Sequence, residues 1–375
     1  MDNELFHGQY RNKRVLVTGH TGFKGSWLSL WLKELGAEVY GFSKYLPSEP
    51  NHFEAVSLSK QIHHHSGDIR NFDELQSVFK KSLPEVVFHL AAQPIVRDSY
   101  SDPRLTFETN LMGTVNVLEC IRHCSSVKVG VIITSDKCYE NDERDVGYHE
   151  DDRLGGADPY SASKACAEIA FSAYYRSFFG PGRLILLSTA RAGNVIGGGD
   201  WAKDRIVPDC VRAWSRKQTA TIRNPQATRP WQHVLEPLSG YLWLGALLVG
   251  QVPRISGEAF NFGPHQDVVK SVEELVHVFN KYWLDAKWQH IPEIVKKKEA
   301  TLLQLDCKKA KEMLNWHPVL NFEQTIAMTA QWYKGYYEKK TDPRNISIAQ
   351  INEYVHAAKE SHCAWTKPQR ERVLK

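Results

Sequence analysis

Residues 14–25 read Arg-Val-Leu-Val-Thr-Gly-His-Thr-Gly-Phe-Lys-Gly, and this stretch decides the fold. Its first five residues are rich in β-branched side chains and predict a short strand that ends before Gly19. An amphipathic stretch over about 24–35 predicts a helix, and residues 38–42 predict a second strand. Strand, glycine turn, helix and strand form one βαβ unit, whose two strands are expected to be parallel.

The same alternation of strands and helices continues to about residue 191. Repeated alternation of this kind predicts an α/β fold with a doubly wound parallel sheet of the Rossmann type. The further strands are predicted over 61–66, 85–90, 128–135 and 183–191. The further helices are predicted over 71–82, 103–124 and 158–180.

The pattern breaks after about residue 195, where three consecutive glycines open a loop. Helical stretches over 205–216, 235–249 and 271–283 alternate there with short strands, which predicts a smaller mixed α/β substrate lobe. The tail is polar, and we expect it to pack weakly. The predicted division is a nucleotide-binding Rossmann domain over 1–194 with a returning strand near 258–262, a mainly substrate-binding lobe over 195–335, and a C-terminal tail over 336–375.

Composition argues against a nucleic-acid or membrane partner. The chain of 375 residues carries 47 basic and 43 acidic residues, a formal net charge of +4. Its longest apolar run, 241–250, is too short to span a bilayer, and the polar first ten residues lack an apolar signal core. The seven scattered cysteines predict reduced thiols, and we expect a cytoplasmic protein. We expect no metal site, because the adjacent side chains of His63, His64 and His65 diverge in most backbones.

The glycines of the first turn, Gly19, Gly22 and Gly25, are spaced three apart between strand and helix. Glycine permits a tight turn with close backbone approach, and a helix N-terminus attracts a pyrophosphate, so this turn predicts a dinucleotide site. A tight turn without a ligand is the alternative. Lys24 is either a phosphate contact or a solvated helix lysine.

The end of the second strand offers Ser43 and Lys44 where an acidic residue often binds the adenosine ribose of NAD. Selection of NAD over NADP is therefore weakly supported by this position. Asp68 and Ile69, after the third strand, suit adenine recognition. An exposed loop aspartate is the alternative for Asp68.

Two segments carry the chemistry. Tyr160 and Lys164 lie four apart on a predicted helix and therefore on one face, where the ammonium is expected to lower the pKa of the phenol. Tyr160 is thus a candidate base for a sugar hydroxyl. Asp136 and Lys137 add a second acid/base pair, which simple hydride transfer does not need. The combination predicts oxidation followed by elimination.

Over roughly residues 13–330 the sequence resembles the extended short-chain dehydrogenase/reductase family, and within it the sugar-nucleotide 4,6-dehydratases. The motifs that carry the resemblance are Gly19-x2-Gly22-x2-Gly25, Asp68-Ile69, His89-Leu-Ala-Ala-Gln93, Asn110, Thr134-Ser-Asp-Lys-Cys-Tyr139, Tyr160-x3-Lys164, Arg191-Ala-Gly-Asn194, Gly197-Gly-Gly-Asp-Trp201 and Arg229-Pro-Trp-Gln-His-Val234.

The resemblance implies NAD as the cofactor and assigns a set of site residues. The implied catalytic residues are Ser135, Asp136, Lys137, Tyr160 and Lys164. The implied cofactor-binding residues are Gly19, Thr21, Gly22, Phe23, Lys24, Gly25, Ser43, Asp68, Ile69, Leu90, Ala91, Ala92, Asn110, Thr134, Tyr160 and Lys164. The implied substrate-binding residues are Gln93, Ser135, Asn194, Arg205, Arg229 and His233. No metal is implied.

The implied reaction converts the nucleotide sugar CDP-glucose into CDP-4-keto-6-deoxyglucose. Tyr160 and Lys164 act on the 4-hydroxyl with Ser135, and Asp136 protonates the leaving 6-hydroxyl. Relatives carry a glutamate base where this chain has Lys137, so Lys137 is either the base at C5 or a cation that stabilises the enolate. A 4-epimerase, the same dehydration of UDP- or dTDP-glucose, and a non-enzymatic NAD-sensing protein are the rival interpretations.

For Trp201 and Trp231 two interpretations stay open: they belong to the core of the second lobe, or they form a pocket wall that stacks on cytosine. The resemblance also implies a homodimer or homotetramer, paired through the helices predicted over 103–124 and 158–180. It further implies a role in deoxysugar synthesis for a bacterial surface polysaccharide such as the O-antigen of lipopolysaccharide.

Overall fold

The computed structural model describes residues 4–180, 182, 184–265, 268–283, 286–292 and 303–368. Arg183, the predicted start of one strand, and residues 369–375 of the predicted tail lie outside these ranges. The strands are β1 (Arg14–Thr18), β2 (Glu38–Ser43), β3 (His63–Ser66), β4 (Val86–His89), β5 (Val129–Ile133), β6 (Leu186–Ala192), β7 (Val195–Ile196), β8 (Ala220–Ile222), β9 (Thr228–Pro230), β10 (Gln232–His233), β11 (Ala259–Phe262), β12 (Val269–Ser271) and β13 (Trp288–His290). The α-helices are α1 (Phe23–Glu34), α2 (His52–Ala55), α3 (Phe72–Ser82), α4 (Val96–Ser101), α5 (Pro103–Phe107), α6 (Gly113–His123), α7 (Pro159–Tyr174), α8 (Ile206–Ser215), α9 (Leu235–Val249), α10 (Val272–Asn280), α11 (Phe322–Tyr337) and α12 (Pro343–Glu360).

Seven parallel strands form the main sheet, in the order β11-β6-β5-β4-β1-β2-β3. The strand β11 returns to the sheet beside β6 after the chain has passed through the second lobe. Strands β4 and β5 are buried at every position, as expected of parallel strands that helices cover on both faces. The predicted doubly wound α/β fold is therefore confirmed.

The strand order reverses between β1 and β4, and this reversal positions the site. The chain moves outward from β1 through β2 to β3, then crosses back to β4 on the other side of β1. Helices that leave β1 and β4 therefore diverge, and a crevice opens beyond the carboxyl ends of these two strands. The glycine turn lies directly at this crevice, because it follows Thr18, the last residue of β1.

Two long helical segments lie beside β4 and β5. Helices α5 and α6 are joined by a π-helical turn over Glu108–Met112, so one bent segment runs from Pro103 to His123. Asp158 caps α7, since its carboxylate accepts a hydrogen bond from the backbone N–H of Ser161 at 3.0 Å. This cap fixes where α7 begins and so fixes Tyr160 in its first turn.

The second lobe contains three two-stranded sheets, β7–β10, β8–β13 and β9–β12. Its aromatic core includes Trp201, which is 2% exposed and donates its indole N–H to the Tyr337 hydroxyl at 2.9 Å. Trp231 is also buried and donates to the Lys270 carbonyl at 2.8 Å. Both indoles therefore belong to the lobe core.

The prediction that the tail packs weakly is wrong for its described part. Helix α12 places Ile351, Tyr354, Val355 and Ala358 on one buried stripe, although most of its other residues are polar. Beyond it Trp365 is fully buried and stacks on Phe6 with ring centroids 4.8 Å apart. The polar composition of the tail conceals this apolar stripe, which covers one side of the Rossmann core.

Three further features bear on the expectations from composition. None of the helices in the described ranges is long and apolar enough to cross a membrane. All seven cysteines are free thiols. His64 on β3 faces His20 of the glycine turn, with Nδ1 and Nε2 2.7 Å apart, and the described residues include no group of three side chains arranged to hold a metal ion.

Candidate active site

At the end of β1, the backbone of the glycine turn lies close to the backbone of the loop that follows β4. Gly19 has φ +76°, which favours glycine, and a Cβ there would lie 2.6 Å from the Ala91 nitrogen. A Cβ on Gly25 would collide with the Gly19 carbonyl oxygen. Gly22 is the N-cap of α1 and provides no side-chain cap, so the first N–H groups of α1 stay available to an anionic ligand.

The neighbouring loop segments complete this end of the crevice. Thr21 donates to the Tyr45 carbonyl at 2.8 Å, and Phe23 begins α1. After β4, the backbone N–H of Leu90 donates to the Thr18 carbonyl at 3.0 Å. Ala91 and Ala92 follow it and are only partly buried. The loop segments after β1 and β4 are thereby held side by side.

At the end of β2, Ser43 is buried and Lys44 pairs with Asp68 at 3.1 Å. Arg70 also pairs with Asp68, at 2.6 Å. Partial burial opposes the charge of this carboxylate, but its hydrogen bonds with Arg70 and Lys44 outweigh burial and hold the pKa of Asp68 at about 2. Asp68 is therefore an ionised, paired carboxylate rather than a free loop side chain, and Ile69 beside it is buried.

Gln93 and Asn110 use their side chains in hydrogen bonds within the protein. The Asn110 side chain accepts from the Gln93 backbone N–H at 2.8 Å and donates to the Ser163 hydroxyl at 2.9 Å. The Gln93 amide binds the backbone of Ile95 and the hydroxyl of Thr106. These contacts tie the loop after β4 to the bent helical segment and to α7.

Ser135, Asp136 and Lys137 follow β5 and begin a single 3-10 turn over Asp136–Cys138. The Ser135 hydroxyl donates to Asp136 Oδ1 at 2.9 Å and accepts from the Lys137 backbone N–H at 3.2 Å. Asp136 is 5% exposed, whereas Lys137 is half-buried. Cys138 is fully buried, in agreement with the usual behaviour of a thiol as a small apolar group.

Tyr160 and Lys164 are both buried on α7. Burial raises the pKa of Tyr160 to about 12, and a hydrogen bond with Ser135 opposes this effect only in part. Burial also lowers the pKa of Lys164 to about 8, against the opposing charge of Glu168. The predicted lowering of the Tyr160 pKa by Lys164 is therefore not found, because desolvation is the largest effect on the phenol.

Glu168, one turn beyond Lys164, is the centre of a buried polar cluster. It accepts hydrogen bonds from the hydroxyls of Thr134 and Thr189 and pairs with Arg191 at 2.8 Å. Burial would raise the pKa of Glu168, but Arg191 and these hydrogen bonds lower it overall. Thr134, a predicted cofactor contact, thus uses its hydroxyl within the protein.

Two cationic side chains line the site from other elements. Lys24 is partly buried, with Nζ 3.5 Å from the Gly193 carbonyl oxygen. Burial lowers its pKa to about 8, and the nearby carboxylate of Asp136 opposes that shift. Arg205, at the start of α8, pairs with Asp200 at 2.8 Å. Lys24 is therefore partly buried near Asp136 rather than fully solvated.

The remaining predicted substrate contacts lie around β7, β9 and β10. Asn194 is exposed in the connection between β6 and β7. Arg229 lies on β9 and donates to the Thr228 carbonyl at 2.8 Å. His233 on β10 is fully buried, and burial lowers its pKa to about 3, so its imidazole is neutral.

Sequence reasoning missed Gln232 and Tyr241. Both are buried, and neither side chain has a hydrogen-bond partner among the residues that the structure describes. Gln232 lies within the quoted motif that begins at Arg229, but its amide is an ordinary polar group by sequence and only its burial distinguishes it.

The family model described as GDP-mannose 4,6 dehydratase matches residues 16–329. The chain belongs to this dehydratase family. The match covers the main sheet and most of the second lobe, and it confirms the resemblance that the motifs indicate.

Two dehydratases resemble this chain over most of their length. The CDP-glucose 4,6-dehydratase of Salmonella typhimurium is 46% identical over 357 residues, which cover 93% of this chain and 98% of that protein. The dTDP-glucose 4,6-dehydratase of Haemophilus influenzae is 26% identical, over 85% of this chain and 97% of that protein.

A solved structure shows the same fold at lower identity. The epimerase Mth375 of Methanothermobacter thermautotrophicus superposes with a TM-score of 0.76 at 23% identity, over 90% of this chain and 98% of that chain. At this identity the likeness concerns the fold alone.

Proposed function

We propose that this protein is an NAD-dependent CDP-glucose 4,6-dehydratase, which converts CDP-D-glucose into CDP-4-keto-6-deoxy-D-glucose. The observation that carries the proposal is the position of Asp136. Its buried carboxyl group adjoins Ser135 at the carboxyl end of β5, and Ser135 lies close enough to Tyr160 to lower the pKa of the phenol. A proton donor beside the Tyr–Lys pair serves a reaction that loses water. The similarity to the Salmonella CDP-glucose 4,6-dehydratase supports the same reaction.

The glycine turn fits the pyrophosphate of NAD. A side chain at Gly19 or Gly25 would clash with neighbouring backbone, so the turn presents bare backbone to a ligand. The uncapped N-terminus of α1 supplies N–H donors. Bound NAD supplies hydride acceptance from C4 of the sugar and hydride return at C6. The end of β2 has Ser43 and Lys44 in place of an acid for the ribose, so we expect modest NAD affinity.

The side chains of the protein supply the proton transfers. Tyr160 takes the proton of the 4-hydroxyl, and Ser135 holds the same oxygen. A ketone at C4 makes the hydrogen at C5 acidic, and a base removes it. Asp136 then gives a proton to the 6-hydroxyl, which leaves as water. Lys164 stabilises the phenolate of Tyr160 when it carries its charge.

Lys137 has two possible roles in this scheme: the C5 base, or a cation that stabilises the enolate while another group takes the proton. We propose the base role. Lys137→Ala and Lys137→Met variants given CDP-glucose in deuterated water separate the two, because the base controls exchange at C5. Exchange at the rate of the unsubstituted protein in both variants would exclude the base role.

The nucleobase is the least constrained part of the substrate. We propose CDP on the strength of the similarity to the Salmonella enzyme, and no described contact by itself selects cytosine. We also propose a cytoplasmic homodimer or homotetramer that pairs through the bent helical segment from Pro103 to His123 and through α7, where Met112 and Ile169 are exposed. Deoxysugar synthesis for a surface polysaccharide is the proposed pathway.

Mass spectrometry of the product from CDP-glucose and NAD tests the proposal. We expect a product lighter by one water, without accumulation of NADH, and no such product from an Asp136→Asn variant. Turnover of only UDP- or dTDP-glucose with the same mass loss would overturn the CDP assignment. Turnover without loss of mass would overturn dehydration and indicate an epimerase.

A further inference from the structure

Gln232 is a buried polar side chain with no assigned role. It is the first residue of the short strand β10, which pairs with β7 so that Gln232 lies opposite Val195. Only 1% of the residue is exposed. Neither its amide nitrogen nor its amide oxygen has a hydrogen-bond partner within the described ranges of the chain.

The amide of Gln232 and the carboxylate of Asp136 face a common point. A Cβ built on Gly193 would lie 3.0 Å from Asp136 Oδ2 and 3.9 Å from Gln232 Nε2. Asp136 Oδ1 is already occupied by the Ser135 hydroxyl, so Oδ2 is the oxygen turned toward Gly193 and Gln232. Glycine at position 193 allows this close approach, because a side chain there would crowd the Asp136 carboxylate.

A purely structural role does not explain this amide. Buried polar groups are normally hydrogen-bonded, since an unsatisfied one destabilises the folded state. Leucine has a similar size and would fill the same volume without that cost. Tyr241, on the following helix α9, has a buried hydroxyl that likewise lacks a partner in the described residues. Burial raises the pKa of Tyr241, and the charge of Asp136 raises it further. Tyr241 therefore lies near the same carboxylate.

We propose that Gln232 is a further catalytic residue of this reaction, which binds the 6-hydroxyl oxygen of the sugar as it leaves. The inference rests on the proposed dehydration. As the base takes the C5 proton, the electron pair of the C5–H bond forms the C5–C6 double bond. The C6–O bond breaks, and the proton of Asp136 completes the water. The Gln232 N–H donates to the departing oxygen, and its carbonyl oxygen accepts a hydrogen bond from the water formed.

This assignment predicts that Gln232 acts on elimination and not on oxidation at C4. CDP-6-deoxyglucose separates the two steps, because it has a 4-hydroxyl to oxidise and no 6-hydroxyl to lose. Gln232→Leu is expected to dehydrate CDP-glucose about 10²–10³-fold more slowly, comparable to removal of one donor from a preorganised site. The same variant is expected to form NADH from CDP-6-deoxyglucose within about threefold of the unsubstituted rate, because its N–H does not touch the 4-hydroxyl.

The stability of the ligand-free variants gives an independent readout. Gln232→Leu is expected to melt at the same or a higher temperature, because it removes unsatisfied buried groups. Gln232→Met has a similar length and no hydrogen-bond donor, so it is expected to lose dehydration as well and keeps the test valid if the leucine variant does not fold.

Two results would overturn the assignment. One is dehydration by both variants at the unsubstituted rate. The other is an equal loss of dehydration and of CDP-6-deoxyglucose oxidation, with a lowered melting temperature, which would mark Gln232 as structural. A failure of the proposed function would be seen in the unsubstituted protein, which would then yield no dehydrated product. The assignment of Gln232 would fall with it.

Discussion

Glu168 and Gln232 are buried polar side chains near the ends of β5 and β6, and they differ in their hydrogen bonding. Glu168 is 4% exposed and has three side-chain partners, Thr134, Thr189 and Arg191. Gln232 is 1% exposed and has none among the described residues. A buried group that holds the fold together finds its hydrogen bonds inside the protein. A buried group that serves a ligand keeps its hydrogen bonds for that ligand.

In its hydrogen bonding, Asp136 is intermediate between Glu168 and Gln232. Its substitution is expected to have the largest effect on dehydration. Among the described residues, its side chain is hydrogen-bonded at Oδ1, which accepts from the Ser135 hydroxyl. Asp136→Asn keeps an acceptor for that hydroxyl but has no proton to give to the 6-hydroxyl. We expect dehydration to fall by about 10²–10⁴-fold. Product formation from CDP-glucose measures this, with NADH formation from CDP-6-deoxyglucose as the control that stays near the unsubstituted rate. A loss below tenfold would contradict the acid role.

The Glu168 cluster is predicted to show the largest effect on stability. Glu168→Ala leaves the Arg191 guanidinium buried without its carboxylate, which typically costs about 3–5 kcal/mol. Denaturant-induced unfolding of the ligand-free protein measures the change. The double variant Glu168→Leu/Arg191→Met removes both charges and should lose less free energy than Glu168→Ala. A single variant that costs under about 1 kcal/mol would mean that the cluster does not support the fold.

The fold was largely predictable because its signals are local. Most strands of the main sheet are short, largely apolar runs next to a turn, with the polar edge strand β3 as an exception. The helix predicted over 235–249 coincides with α9. The tail shows what composition hides: α12 is mostly polar, and its stripe of Ile351, Tyr354 and Val355 is visible only at helical spacing. The π-helical turn between α5 and α6 has no signature in the sequence.

The sequence indicated candidate site residues, but it could not indicate the partners of their side chains. The spacing of Tyr160 and Lys164 places both on one face of α7, yet it cannot report that burial exceeds the effect of the ammonium on the phenol pKa. Gln93 and Asn110 look like ligand contacts in the motif, and the structure shows them bound to each other. Which buried polar group is satisfied depends on distant segments, so Gln232 could not be distinguished from the sequence.

Glu236 on α9 is a second satisfied carboxylate and provides a pH test. It accepts from the backbone N–H groups of Val319 and Leu320 and from the Tyr354 hydroxyl. Burial nevertheless raises its pKa to about 7. A raised carboxyl pKa stabilises the folded state fully below the unfolded value, and this contribution is lost as pH rises through 7. We expect the free energy of unfolding to fall by about 1–3 kcal/mol from pH 5 to pH 8 through this group.

Glu236→Gln is the matched control for that pH test. It keeps the shape of the side chain and removes the titration, so its free energy of unfolding should vary less over the same range. Denaturation midpoints at pH 5, 6, 7 and 8 for both proteins measure the difference. Parallel curves would show that the burial of Glu236 does not control this pH dependence.

Two tyrosines, one that bonds α9 and one that lies on it, give the smallest and most closely matched comparison. The Tyr10 hydroxyl donates to the Leu242 carbonyl at 2.5 Å, whereas the Tyr241 hydroxyl has no partner in the described part of the chain. Tyr10→Phe should lower the free energy of unfolding by about 1 kcal/mol. Tyr241→Phe should leave it unchanged or raise it by up to about 1 kcal/mol. Equal losses in both variants would remove the distinction between satisfied and unsatisfied groups.

The most direct test of the central claim follows one atom. CDP-glucose carrying deuterium at C4 is given to the protein with unlabelled NAD, and the product is examined by mass spectrometry and NMR. Dehydration with internal hydride return predicts a product lighter by one water, with the deuterium retained and now located at C6. Deuterium that remains at C4 in a product of unchanged mass, or that is lost to the solvent, would contradict the account.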